Sequence, residues 1–336
     1  MGYYRGTTKR IKTLSDKTSV ILTFAVCLIC WIMGYFYSVG FPLEKDSAVL
    51  PLWGSLCNIL NSRVFVYILG LLVVILPAFV LQRINDVEML IRERTRLPLM
   101  LFVLLVSTNA GLMPVKEVSV VLICLVFLIY ELFNSYLLPE STGRFFNAGL
   151  LIGISAMFIP QVLWYVPLLW IGMYQFRSLS YKSFFASLIG ILIVYWFVLA
   201  WCVWYHDFSI FTSLFSSLAD FDIFSNALLF QYHRIGFALI VILLITASFF
   251  IKMDAFNNSV RARQMLSFLL NMSAWTLILL FLYSKSTDSF MEILYLPVSV
   301  VIAYFIENIR YRFRFVLYYS MLALLFAFYI MRVWNF

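Results

Sequence analysis

The sequence predicts an all-α, polytopic membrane protein with about eleven transmembrane helices. Of its 336 residues, 64% are hydrophobic and only 12% are charged, and the mean hydropathy is +0.97. A soluble protein of this length cannot bury so much apolar surface in its core, whereas a bilayer accepts it. The apolar residues also form separate runs of about the length of a membrane span, and Lys and Arg gather in alternate loops.

The N-terminal residues 1–18 are polar and basic, and they are predicted to be a cytoplasmic segment. Residues 19–336 are predicted to form a single multi-spanning membrane domain. The first span, 19–37, is too long for a signal peptide and lacks a small-residue cleavage site, so it reads as an uncleaved anchor. Further spans are predicted at 64–82, 97–113, 117–137, 145–159, 161–176, 184–204, 235–251, 265–283, 290–307 and 315–331.

The stretch 145–176 contains no charged residue. As one helix it would be about 48 Å long, which exceeds the roughly 30 Å hydrocarbon core of a bilayer. Pro160 at its middle removes a backbone donor and disfavours helical geometry in the residue before it. The sequence therefore predicts two short membrane helices hinged at Pro160. Small residues in the first helix predict a close approach to another helix: Ala148, Gly149, Gly153, Ser155 and Ala156.

The distribution of positive charge predicts an N-in, C-out topology. With the N-terminus in the cytoplasm, the inward segments contain 18 of the 24 Lys and Arg residues and the outward segments contain six. A single span through 145–176 would reverse every later loop and would place eight of the inward basic residues outside. The charge distribution therefore favours two crossings in this stretch.

The first large outward loop, 38–63, is predicted to contain a short surface helix at about 47–61. Its apolar residues recur at helical spacing, and Pro51 suits a first helical position. Two carboxylates, Glu44 and Asp46, stand at the entrance of this helix. An outward carboxylate can act as a general base on an acceptor hydroxyl, or it can hold a divalent metal ion that binds a phosphate. The alternative is a solvated turn in which Asp46 caps the helix.

The second large outward segment, 205–234, contains both histidines of the chain, His206 and His233. Between them, an apolar stripe from Phe208 to Leu218 opposes a face of Ser and Thr, as in an interfacial helix. His206, His233 and Arg234 suit a cradle for a lipid phosphate, because these side chains match phosphate oxygens. The alternative is that they snorkel to the interface or are solvated in the loop.

Several function classes lack support in the sequence. It contains no signature of a soluble enzyme and no basic–aromatic patch for nucleic acid, so the expected partner is membrane lipid. The charged residues within spans are Glu131, Glu292 and Glu307, and each lies near a helix end from which it is expected to reach an interface. A transporter usually places ionisable residues near the bilayer midplane, so this distribution disfavours an ion-coupled carrier.

Two family resemblances enter at the stretch 145–176. The block AGLLIGISAMFIP (148–160), followed by an apolar run with Pro167, resembles the polyprenyl-phosphate-sugar-dependent (C-type) glycosyltransferase superfamily. The order of INDVEMLIRERTRLP, FFNAGLLIG and RSLSYK resembles an uncharacterised bacterial polytopic inner-membrane family over about residues 64–200. The chain has Glu-Lys-Asp at 44–46, where typical members of the superfamily have Asp-Glu or a lone Asp.

The superfamily resemblance implies transfer of a sugar from a polyprenyl-phosphate donor on the outer face of a bacterial inner membrane, in envelope polysaccharide assembly. Glu44 or Asp46 would be the base or a metal ligand, so a divalent metal ion is an open cofactor. Arg63, His206, His233 and Arg234 would be the phosphate-binding candidates. Two other classes stay open, namely a non-enzymatic membrane scaffold or assembly component and a lipid or solute transporter. The donor, the acceptor and the oligomeric state also stay open.

Overall fold

A computed structural model describes residues 17–37, 42–43, 51–91, 95–206, 208–221, 229–253, 258–283, 286–309 and 311–334. Every regular element in these ranges is a helix, which confirms the predicted all-α class. The α-helices are α1 (Lys17–Phe36), α2 (Pro51–Ile59), α3 (Arg63–Glu88), α4 (Leu97–Ser107), α5 (Glu117–Asn134), α6 (Thr142–Phe158), α7 (Tyr165–Gln175), α8 (Tyr181–Tyr205), α9 (Ser209–Ala219), α10 (Leu229–Met253), α11 (Val260–Leu282), α12 (Thr287–Asn308) and α13 (Tyr311–Trp334). Short 3-10 helices follow α4 (Ala110–Leu112) and α6 (Pro160–Trp164).

Within the described ranges, eight helices are long and apolar enough to cross a bilayer: α1, α3, α5, α8, α10, α11, α12 and α13. The protein is therefore a multi-pass integral membrane protein. The other three predicted spans correspond to shorter helices, since α4 and α7 have 11 residues each and α6 has 17. At about 1.5 Å per residue, α4 is roughly 17 Å long, which is well short of a bilayer core.

The apolar stretch 145–176 is broken where Pro160 predicts it. Ile159 has extended backbone angles, and the 3-10 helix that begins at Pro160 leads into α7. The start of α6 and the end of α7 both return to the end of α5, because the Arg144 guanidinium donates to the Asn134 carbonyl and the Leu137 amide donates to the Phe176 carbonyl. The two helices thus form a hairpin whose tip is the Pro160 turn.

The small residues of α6 allow α8 to pack directly against its backbone. A Cβ at Gly149 would overlap the carbonyl oxygen of Ser187, and one at Gly190 would overlap that of Phe146. Gly153 is similarly close to Val194. The close approach predicted from the sequence is present, and α8 supplies a matching glycine.

Helix α12 lies at the centre of the bundle and packs against α4, α5, α10, α11 and α13. The first and last described helices also meet, although they are about 300 residues apart in sequence. The hydroxyls of Thr23 on α1 and Tyr318 on α13 are 2.5 Å apart, and the Tyr329 hydroxyl donates to the Cys30 carbonyl. Hydroxyl hydrogen bonds thus connect the first and last described helices, as they commonly do between transmembrane helices.

Candidate functional site at one end of the helix bundle

The Pro160 turn marks one end of the bundle, called the Pro160 end here. The Trp164 indole donates to the Tyr283 hydroxyl at 2.7 Å, and that hydroxyl donates to the Leu218 carbonyl at 2.7 Å. The turn, the end of α11 and the end of α9 are therefore joined.

Helix α9 lies at the Pro160 end as a short amphipathic element. Its Leu214 is buried against Met157, and partly buried residues of α8 pack around them: Val194, Tyr195 and Val198. Phe208 and Phe215 are exposed instead. One edge of the predicted apolar stripe therefore packs on the bundle, and the other is available to the membrane interface.

Helix α2 packs beside the same turn. It begins at Pro51, as the sequence predicts. Its buried residues Trp53 and Cys57 pack with three buried residues from other parts of the chain. Together they form the α2 cluster: Leu43, Trp53, Cys57, Val66 and Val115. Phe158, which precedes the Pro160 turn, packs against both the α2 cluster and the Leu214–Met157 pair. The Pro160 turn therefore brings the two surface helices of the predicted outward loops to one place.

The predicted carboxylates Glu44 and Asp46 lie outside the described residues, so their role stays a prediction. The residue before them, Leu43, is buried in the α2 cluster. The chain therefore enters the segment 44–50 from a position beside α2 and the Pro160 turn.

The four predicted phosphate-binding residues lie on three elements. Arg63 begins α3, and its guanidinium carbon lies 4.5 Å above the centre of the Tyr35 ring. His206 ends α8 with a left-handed backbone (φ 53°), and its side chain is exposed. His233 and Arg234 are in α10, but their side chains lie outside the described part of the structure.

Sequence reasoning missed a second group of polar side chains at this end. This polar cluster comprises Asn109, Lys116, Asp288, Glu292, Tyr295 and Arg332. The Lys116 Nζ and the Asp288 Oδ2 are 3.7 Å apart. The Arg332 guanidinium donates to the Asn109 side-chain oxygen, and the Asn109 amide donates to the Tyr295 hydroxyl at 3.4 Å.

Glycine at position 111 keeps the polar cluster compact. A Cβ there would lie 2.6 Å from the Arg332 Nη2 and 3.3 Å from the Asp288 Oδ2. Arg332 and Asp288 thus approach the same point on the backbone of the segment 108–116, which connects α4 to α5. Much of this irregular segment is buried in the protein, where non-helical backbone is tolerated in a membrane protein.

Two in-span glutamates contradict the expectation that they reach an interface. Glu292 is 1% exposed and Glu307 is 4% exposed, so both are enclosed by protein. Glu307 pairs with Arg314 at 2.5 Å. The expectation was wrong because position near a helix end does not reveal which face of the helix is covered by neighbours.

The described residues contain no group of three or more His, Cys, Asp or Glu side chains that could hold a metal ion. A metal at Glu44 and Asp46 therefore stays a prediction. Comparison of the chain with protein-family models, with curated proteins and with solved structures finds no match. The function is accordingly argued from the residues and their placement.

Proposed function

We propose that the protein is an integral membrane enzyme that transfers a sugar from a polyprenyl-phosphate donor to an acceptor of an envelope polysaccharide. The reaction would take place at the Pro160 end, on the outer face of a bacterial inner membrane. The observation that supports this most is the contact of Phe158 with both the α2 cluster and the Leu214–Met157 pair. It draws together the two loops that contain the proposed reacting groups.

In this proposal the segment 44–50 supplies the base. Glu44 or Asp46 accepts the proton of the acceptor hydroxyl, so that its oxygen can attack the anomeric carbon of the donor sugar. The departing lipid phosphate needs positive charge, and Arg63, His206, His233 and Arg234 are the candidates to bind it. The exposed Phe215 on α9 and Phe208, which precedes that helix, suit the interface where the lipid chain of the donor would enter.

A lipid or solute transporter is the second candidate, and one observation favours it. Helix α4 is too short to span a bilayer and continues into the buried irregular segment 108–116. Interrupted helices of this kind line the substrate sites of many transporters. A transporter moves a labelled substrate across a sealed vesicle without chemical change, whereas the proposed enzyme changes the substrate without needing a gradient.

The test uses the full chain in lipid nanodiscs with radiolabelled polyprenyl-phosphate sugars, and washed cell membranes supply the acceptor. We expect label to pass from lipid to polymer for at least one donor. The Glu44→Ala/Asp46→Ala double variant should lower the rate about 10²–10⁴-fold, which is the usual contribution of a general base. Glu140→Ala, an exposed acid near the end of α5, is the matched control and should keep the rate.

If no label passes from any of the donors to the polymer, the proposed sugar-transfer activity is contradicted. Full activity of the double variant would instead remove Glu44 and Asp46 from the mechanism.

A further inference from the structure

The polar cluster adjoins the proposed reaction site. Val115 belongs to the α2 cluster, and the next residue, Lys116, belongs to the polar cluster. The Tyr283 ring also stacks on Phe290, at 6.0 Å between ring centres, and Phe290 lies between Asp288 and Glu292 in sequence. The Pro160 turn, α2 and the polar cluster thus occupy one end of the bundle.

The outer side chains of the polar cluster are partly exposed, whereas the inner ones are buried. The side chains of Asp288 and Lys116 are 38% and 26% exposed. On the next two turns of α12, Glu292 is 1% exposed and Tyr295 is 5% exposed. Because residues four and seven apart lie on one helix face, these α12 side chains form a single column that leads inward.

Glu292 differs from an ordinary buried ion-pair partner. Its Oε2 is buried and has no hydrogen-bond partner among the described residues. Lys116 and Asp288 are the charges that act on it most, yet Lys116 pairs with Asp288. Glu307, on the same helix, is by contrast directly paired with Arg314. A buried carboxylate oxygen without a partner is costly, unless a ligand or water supplies the donor.

The chemistry of the cluster selects a class of ligand. At the mouth, Lys116 pairs with Asp288, while Arg332 donates to the side-chain oxygen of Asn109 and lies near the same point of the backbone, Gly111, as Asp288. Both cations are of the kind that donates charge-assisted hydrogen bonds to a phosphate. At the floor, Glu292 can accept a hydrogen bond from a hydroxyl group. A ligand with a phosphate and hydroxyl groups a few ångströms apart satisfies both ends.

We infer that the polar cluster binds the sugar-phosphate headgroup of the substrate, with Glu292 at a sugar hydroxyl. Lys116 and Arg332 would join the basic candidates of the proposed function in binding the phosphate. The identification of this headgroup with the donor rests on the proposed function. The binding itself does not, because it is measured without turnover.

The test measures binding of two probes, inorganic phosphate and glucose 1-phosphate, to the full chain in nanodiscs by isothermal titration calorimetry. The wild type should bind glucose 1-phosphate about tenfold or more tightly than phosphate, since a hydrogen bond to a charged group is worth that factor. Glu292→Gln should remove this preference while phosphate binding persists. Arg332→Gln should weaken both probes about tenfold.

The control is Glu131→Gln, a partly buried glutamate that accepts a hydrogen bond from Asn147 on α6. It should leave both affinities unchanged. Gly111→Ala provides a second perturbation if Glu292→Gln does not fold, because the added Cβ overlaps the flexible end of Arg332 and crowds the Asp288 carboxylate. It should weaken both probes about threefold or more, as expected for a misplaced charged donor.

A retained preference in Glu292→Gln, or binding of neither probe by the wild type, would overturn the inference. Sugar transfer by the wild type that persists in Glu292→Gln and Arg332→Gln would overturn it while the proposed function stands. Binding that depends on these residues without any sugar transfer would support the inference while the proposed function fails.

Discussion

Helices α8 and α12 have similar length and are both apolar, yet they occupy opposite environments. In the most apolar 18-residue window of each, 22% of α8 is buried inside the protein against 89% of α12. The lipid-facing side of α8 presents large aromatic residues, including Trp196, Phe197 and Trp204. Helix α12 instead contains the buried carboxylates Glu292 and Glu307.

The contrast shows that hydropathy does not reveal the centre of a membrane protein. Lipid tails are as apolar as leucine, so an apolar side chain gains little by moving from lipid to protein. A polar side chain gains much, because only protein offers it partners within the membrane. The polar residues of α12, rather than its apolar ones, therefore identify it as the protein-enclosed helix.

The largest effect is expected from breaking a buried ion pair on α12. Glu307→Ala leaves the guanidinium of Arg314 enclosed without its carboxylate, and the side chains are only 3% and 11% exposed. We expect a loss of about 3–5 kcal/mol in the free energy of unfolding, measured by denaturant titration in mixed micelles. Lys182→Ala, an exposed charge on α8, should change it by less than about 0.5 kcal/mol. An equal loss of unfolding free energy in both variants would contradict the contrast between the protein-enclosed α12 and the exposed α8.

An intermediate effect is expected where α8 meets α6. Gly190→Ala and Gly149→Ala each place a Cβ against a backbone carbonyl that cannot yield, so the helices must separate. Each should lower the free energy of unfolding by about 1–3 kcal/mol, as overpacking does. Gly143 lies in α6, as Gly149 does, but a Cβ added there meets no atom within 4 Å. Gly143→Ala should therefore be neutral or slightly stabilising. A similar loss for all three variants would show that the close contact between α6 and α8 does not decide the result.

The smallest effect is expected on the lipid-facing side of α8. Trp196 is 70% exposed, so Trp196→Leu should shift the unfolding midpoint by less than the equivalent of about 0.5 kcal/mol. Phe290→Leu on α12 removes a fully enclosed ring that stacks on Tyr283. It should therefore lower the free energy of unfolding by more than Trp196→Leu does. A larger loss at Trp196 would indicate that a partner, rather than lipid, covers this face.

Several features of the fold were accessible from the sequence because local chemistry determines them. Pro160 cannot continue a helix, so the break in 145–176 follows from one residue. Pro51 begins α2, and the small residues of α6 contact α8 as expected.

Other features depend on contacts that no local pattern encodes. The sequence predicts a span at 97–113, but the structure ends α4 at Ser107 and buries the irregular segment that follows. The polar cluster joins residues from the segment 108–116, α12 and α13 that are up to 223 positions apart, from Asn109 to Arg332. Each of these charged residues, taken alone, resembles an ordinary residue of a loop or of the membrane interface. The candidate site is therefore recognised only when the fold places them next to one another.

The central claim, that a polyprenyl-linked sugar binds at the Pro160 end, is tested most directly by photocrosslinking. A polyprenyl-phosphate sugar with a photoreactive group on the sugar is bound to the full chain in nanodiscs, and the adducts are mapped by mass spectrometry. We predict adducts within 38–63, 108–116 and 205–234, which unlabelled donor should suppress. Adducts confined to the opposite end, near Glu307 and Arg314, would contradict the claim.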